Sequence, residues 1–230
     1  MIELPDLNDK QLMYDSEVNW HLTMTTERLV KFLIHWEAVN MTRNIPGSII
    51  ECGVFKGESL IRFAHFRNII GTNFTSKVIG FDNFNDTYPD TAYEEDQEQR
   101  KVWMATAGSS SISVEQLQTV FENRDLSNFE FIAGDICKTV PEYVRNHKGL
   151  KISILNIDCD FVEPTFTSLT YLYSLVSKGG IILLDNYAGE GEKGNSYFGD
   201  TKGIDDFIAN KNITIKRFPW AARPCYIIKE

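Results

Sequence analysis

The sequence predicts an α/β fold built on a mostly parallel sheet: a leading helix, five strand–helix units and an antiparallel finish. Three observations carry this. Short apolar runs of strand length alternate with segments of helical periodicity. A Gly-x-x-x-Gly turn, Gly53 and Gly57, follows the first run, where nucleoside-binding sheets pass from strand to helix. Each of the five runs also ends in oxygen-bearing side chains: Glu51, Asp82, Asp135, the pair Asp158 and Asp160, and the pair Asp185 and Asn186. Open α/β sheets bind ligands at those ends.

A chain of 230 residues is most simply one domain, with a core deep enough for three layers. The net charge of −9 argues against a nucleic-acid partner, whose surface calls for basic residues. The four cysteines, Cys52, Cys137, Cys159 and Cys225, are far apart and show no zinc or redox spacing. They read as reduced core residues of a cytoplasmic protein. The first residues show no secretory leader, and no run is long enough to span a membrane.

Residues 1–45 are expected to form an N-terminal helical cap. Within it Thr26 suits an N-cap, and Leu29, Phe32, Leu33 and Trp36 recur at helical spacing. Pro46-Gly47 leads into the first strand, and a helix over 58–70 follows it. The second strand, 77–82, ends in Asp82, where a carboxylate can take ribose hydroxyls or simply form a turn before Asn83. From 86 to 111 the periodicity fails; acids cluster there among Tyr88, Tyr93 and Trp103, and the segment reads as a lid insertion. Ser113 and Gln116 form a capping box ahead of the next helix. The third strand, 129–135, ends in Asp135, placed to meet an adenine amine, and a short helix is expected to open at 139–142. In the fourth strand, 152–160, alternation puts Asp158 and Asp160 on one face. Pro164 is expected to start a helix running to about 176, with Gly179-Gly180 stopping it before the fifth strand. Gly189, Gly191, Gly194 and Gly199 mark a loop expected to be mobile. A helix over about 200–210 and two closing strands, 213–217 and 225–229, complete the chain.

The first turn lacks the Gly-x-Gly-x-x-Gly fingerprint of dinucleotide sites. Glu51 beside it would repel a pyrophosphate and attract a cationic centre. S-adenosylmethionine fits, with its carboxylate near the helix start at Gly57. The same two glycines also serve close strand–helix packing.

Glu51-Cys52-Gly53-Val54-Phe55-Lys56-Gly57-Glu58, Phe81-Asp82-Asn83-Phe84, Ile157-Asp158-Cys159-Asp160-Phe161 with Glu163-Pro164-Thr165, and Gly179-Gly180-Ile181 with Asp185 resemble the macrocin O-methyltransferase family over about 23–207. The resemblance implies a Rossmann-like class I methyltransferase fold: a mostly parallel seven-stranded sheet, helices on both faces and an antiparallel last strand. It implies methylation of a sugar hydroxyl on a glycan, a glycosylated natural product or a nucleotide-linked sugar. Met24, in a segment similar to the family's cofactor cover, would contact S-adenosylmethionine together with Glu51, Gly53, Gly57, Asp82, Ser113 and Asp135. Asp158, Asp185 and Asn186 would hold a divalent cation such as Mg2+, and Asp160 would be the general base. Family members usually carry Asp-Asp where this chain has Asp185-Asn186, so one ligand charge is missing. A homo-oligomer is compatible with this reading. Two alternatives stay open: a metal-dependent glycosyltransferase using Asp158-Cys159-Asp160 as Asp-x-Asp, and a non-catalytic protein on a degenerate methyltransferase fold.

Overall fold

A computed structural model describes residues 1–88, 90–188 and 197–230. Its centre is a seven-stranded sheet of β1 (Ser48–Cys52), β2 (Val78–Asp82), β3 (Phe129–Ala133), β4 (Ile152–Ile157), β5 (Val176–Leu184), β6 (Lys216–Arg217) and β7 (Cys225–Ile228). The strand order is β3-β2-β1-β4-β5-β7-β6. The first five strands pair in parallel, and β7 runs antiparallel to both β5 and β6. This is the sheet expected from the sequence, antiparallel finish included.

The helices are α1 (Lys10–Thr23), α2 (Thr26–Thr42), α3 (Glu58–Ile69), α4 (Glu94–Ala107), α5 (Val114–Asn123), α6 (Ile136–Asn146), α7 (Val162–Leu172) and α8 (Phe198–Ile208). Side chains alternate along a strand, so the central strands feed two cores. Ile49, Val78, Ile154 and Leu183 join α2, α3 and α5 in one core, through Ile34, Ala38, Leu60, Phe63, Leu117 and Phe121. Ile50, Ile79, Leu155 and Ile182 join α6, α7 and α8 in the other, through Val140, Leu169, Leu172, Ile204 and Phe207. Both faces of the sheet are thereby covered, as a parallel sheet requires.

Several local expectations are corrected. Thr25, not Thr26, caps α2, its hydroxyl accepting from the Arg28 amide. Asp135 caps α6, which begins at Ile136, three residues ahead of the expected helix start, and Pro141 lies inside that helix. Pro164 is the third residue of α7, which ends at Leu172; a 3-10 turn over Tyr173–Leu175 then leads directly into β5. Gly179 and Gly180 therefore lie within β5, where the pairing with β4 shifts register between Ile152 and Ile154, rather than ending a helix. Strand β6 is shorter than the expected 213–217. The 86–111 segment contains α4, whose only buried residue is Asp96. Gly199 falls in the first turn of α8; Gly189, Gly191 and Gly194 lie outside the described residues. All four cysteines are free: Cys52, Cys159 and Cys225 are buried and Cys137 is half-buried.

Candidate active site

The carboxyl ends of β3, β2, β1, β4 and β5 stand side by side, so their terminal acids form a row. Glu51 lies deepest, fully buried. Its Oε1 accepts from the Asn156 amide at 2.7 Å, and its Oε2 has no hydrogen-bond partner among the described residues. Burial pushes the Glu51 carboxyl up to about 8, against hydrogen bonds from Ser59 and Asn156 that pull it down.

The turn after β1 is built by Gly53 and Gly57. Gly53 has φ +92°, and a Cβ there would stand 1.9 Å from the Asp158 carbonyl oxygen. Only glycine permits that approach. Gly57, at φ +83°, is the N-cap of α3, and no side chain caps that helix start. Asp82 ties β2 to this turn: Oδ2 accepts the amides of Val54 at 2.6 Å and Phe55 at 2.9 Å, while Oδ1 accepts that of Phe84 at 3.2 Å. Ser113 completes the capping box of α5. The preceding residues meet the glycine turn, with the Ser111 hydroxyl and the Ile112 amide both donating to the Phe55 carbonyl. Asp135 accepts from the Cys137 amide and pairs with Lys138 at 3.2 Å. Met24, half-buried, closes α1, and its amide donates to the Trp20 carbonyl.

The second group of acids converges by a different route from the one expected. Strand β4 stops at Ile157, so Asp158 and Asp160 lie beyond it and do not share a strand face. Asp160 has φ +65°, and this left-handed turn brings its side chain back beside Asp158. Asp200 of α8 joins them: carboxylate oxygens of Asp158, Asp160 and Asp200 lie within 4.8 Å of one another. The Asn186 amide nitrogen faces all three, at 3.3 Å from Asp158, 2.8 Å from Asp160 and 3.1 Å from Asp200. Its carbonyl oxygen accepts from Arg223 at 2.7 Å. Asp185 points to Lys31 of α2, whose Nζ bridges Asp185 Oδ2 at 2.8 Å and Asp158 Oδ2 at 3.2 Å.

Burial first, and then the crowding of like charges, raises the proton affinities. Burial, then Asp185, raises Asp158 to about 6. Burial raises Asp200 to about 7. Burial and the charges of Asp158, Asp200 and Asp185 push Asp160 well above the usual carboxylate range.

Aromatic side chains of residues 86–111 pack around this site. Trp103 lies 5.7 Å from Phe55, Tyr88 lies 6.4 Å from Phe161, and Tyr93 lies 6.1 Å from Phe198. Asp96 accepts the Val162 amide at the start of α7, and Glu163 accepts from Thr91 and the Ala92 amide.

The model of the macrocin O-methyltransferase (TylF) family matches residues 9–215. The chain belongs to the macrocin O-methyltransferase (TylF) family. Among curated relatives, the demethyldecarbamoylnovobiocin O-methyltransferase of Streptomyces niveus is 27% identical over 148 residues, 63% of this chain and 54% of the relative. The chain thus matches about half the length of that relative. Two solved structures share the fold. The O-methyltransferase NovP matches with TM-score 0.67 and 24% identity, over 88% of this chain and 79% of its own. The calicheamicin methyltransferase CalS11 matches with TM-score 0.66 and 20% identity, over 96% of this chain and 88% of its own.

The residues of this TylF-family chain fit the groups such a protein would use. The buried Glu51 Oε2 has no hydrogen-bond partner among the described residues and, in the ionised form, would accept from a ligand amine. The acid site is an all-oxygen set of the kind hard divalent cations take. Asp185 Oδ1 is buried without a hydrogen-bond partner among the described residues. Asn186 would ligate through its carbonyl oxygen, which here faces Arg223.

Lys31, Asp200 and Arg223 were not among the residues singled out from the sequence. Lys31 occupies the stripe of α2 that continues through the buried Ile34, His35, Ala38, Val39 and Thr42. Asp200 occupies the stripe of Gly203, Ile204 and Phe207 in α8. A charged residue in an apolar stripe was the available signal for both. Nothing local marks Arg223.

Proposed function

We propose that the chain is an S-adenosylmethionine-dependent O-methyltransferase acting on a sugar hydroxyl of a glycan, a glycosylated natural product or a nucleotide-linked sugar, assisted by a divalent cation of the Mg2+ class. One observation supports this most: the glycine turn and the acid site abut. The Asp158 amide donates to the Cys52 carbonyl at 2.9 Å, and the Asp158 carbonyl fills the space a side chain at Gly53 would need. A cofactor seated on that turn lies beside the carboxylates that would handle the acceptor. The family supports the acceptor class, as does a solved neighbour described as a TDP-rhamnose 3'-O-methyltransferase.

On this reading Met24, Glu51, Gly53, Gly57, Asp82, Ser113 and Asp135 hold the cofactor, and Asp158, Asp185 and Asn186 hold the cation. The cofactor supplies an activated methyl group, and the cation supplies positive charge that eases ionisation of the acceptor hydroxyl. Asp82 keeps the glycine turn in shape by holding two of its amides. Asp160 takes the proton that the acceptor oxygen loses as it gains the methyl group, and it lies beside Asp158, within reach of the same site. Residues 86–111 would cover the acceptor, with residues 1–45 as the cap. The family match spans both the glycine turn and the acid site, which weighs against an Asp-x-Asp glycosyltransferase.

The test is direct. The protein is incubated with S-adenosylmethionine, Mg2+ and a panel of glycosides and nucleotide-linked sugars, and methylated product is sought by mass spectrometry. Calorimetry showing binding of NAD or a nucleotide sugar, and none of S-adenosylmethionine or S-adenosylhomocysteine, would sink the proposal.

A further inference from the structure

The acid site holds a cation of the chain's own. The Lys31 ammonium lies against one oxygen each of Asp158 and Asp185, two of the three residues assigned to the metal. A divalent ion on such oxygens would sit about 2.0–2.6 Å from each. An ion joining the same two oxygens would therefore fall in contact with the ammonium, where like charges repel. The lysine has somewhere to go, since 26% of its side chain is exposed. Asp185 also keeps a second oxygen, buried and without a hydrogen-bond partner among the described residues, that the ammonium does not serve.

A second tie runs parallel to the first. Arg223 donates to Glu27 of α2 at 2.5 Å and to the Asn186 oxygen at 2.7 Å. For Asn186 to turn that oxygen toward the acids, Arg223 must release it. Both of these polar ties run through residues assigned to the cation.

We propose that Lys31 is the resident counter-ion of the acid site and that a divalent cation enters by displacing it, so that cation binding competes with the docking of α2 on the strand ends. The proposal rests on the reading of Asp158, Asp185 and Asn186 as cation ligands.

Mn2+ serves as the probe, its binding followed by electron paramagnetic resonance. Lys31→Met should bind Mn2+ about tenfold tighter or more, and Lys31→Arg should resemble the unmutated protein. In the unmutated protein, Mn2+ should increase acetylation of Lys31 by an amine-reactive reagent, read by mass spectrometry against the exposed Lys138. The labelling arm needs no variant, so misfolding of Lys31→Met would not remove the test. Equal Mn2+ affinity with unchanged Lys31 labelling would show that ammonium and metal coexist, and would overturn the proposal alone. Absence of Mn2+ binding to both the unmutated protein and a folded Lys31→Met would instead overturn the metal reading, and the proposal with it.

Discussion

Glu51 and Asn156 sit opposite each other on β1 and β4, and the Asn156 amide donates to Glu51 Oε1 at 2.7 Å with both residues fully buried. Burial outweighs the downward pull of Ser59 and Asn156, and the Glu51 carboxyl rises to about 8 from 4.5. Between those values the folded protein keeps a proton that the unfolded chain has lost. Stability from this group is therefore fully present below 4.5 and declines as pH rises through 8, by at most about 1.4 kcal/mol per pH unit. Glu51→Gln keeps an acceptor oxygen facing Asn156 but cannot ionise. Urea midpoints of the variant should gain on those of the unmutated protein from pH 5 to pH 8. Parallel profiles would show that Glu51 does not titrate in this way.

Asp82 offers a sharper test of the cofactor end. Asp82→Ala leaves the Val54 and Phe55 amides without their acceptor and loosens the turn on which a cofactor would sit. S-adenosylhomocysteine affinity, measured by calorimetry, should fall about tenfold or more, since each such bond to a charged group contributes about 1.5–3 kcal/mol. Mn2+ binding should change little, because Asp82 shares no hydrogen bond with the second group of acids among the described residues. Unaltered S-adenosylhomocysteine affinity would remove Asp82 from the cofactor site.

What could be read in the sequence, and what could not, follows from range. Strand ends with acids are local patterns, so Glu51, Asp82, Asp135, Asp158 and Asp185 were visible, along with the order of the elements. The geometry joining Asp158 to Asp160 was misread, because alternation holds only inside a strand and β4 ends at Ile157. The left-handed backbone at Asp160, an uncommon conformation for a residue other than glycine, left no mark in composition. Lys31, Asp200 and Arg223 reach the site from 127, 42 and 37 residues away from their respective partners Asp158, Asp158 and Asn186, distances over which periodicity carries no information. The helix–strand boundary near Gly179 was misplaced because a glycine pair reads alike as a helix stop and as an irregularity within a strand.

If residues 86–111 act as a lid, Asp96 is the contact to test. Asp96 is the buried anchor of α4, and it holds the Val162 amide at 2.9 Å. Asp96→Ala removes a cap-like contact, typically about 1 kcal/mol. Hydrogen exchange should accelerate in α4 and in the first turn of α7, with β1 and β4 unaffected. In the unmutated protein, cofactor plus acceptor should slow exchange across α4. Exchange already slow in the free protein, and unchanged by ligands, would rule out a lid.

The metal and the base can be separated by mutation, because their side chains have different neighbours. Asp158 and Asp185 share Lys31, whereas Asp160 has its hydrogen bond from the Asn186 amide, which also reaches Asp158 and Asp200. Asp158→Ala and Asp185→Ala should each weaken Mn2+ and acceptor binding together while leaving S-adenosylhomocysteine affinity nearly intact. Asp160→Asn should keep most of the Mn2+ binding and lower the methylation rate by about 10²–10⁴-fold, the usual effect of losing a general base. Asn186→Asp should tighten Mn2+, since it adds a charged oxygen to a hard-ligand set and Arg223 can still pair with it. The measurement that decides among these roles is methylation by the unmutated protein after chelation, then with Mg2+ restored. Full activity without any divalent ion would mean that the Lys31 ammonium and the Asn186 amide balance the acids unaided. Asp158 would then be left to act on the acceptor hydroxyl directly, as a hydrogen-bond acceptor beside Asp160.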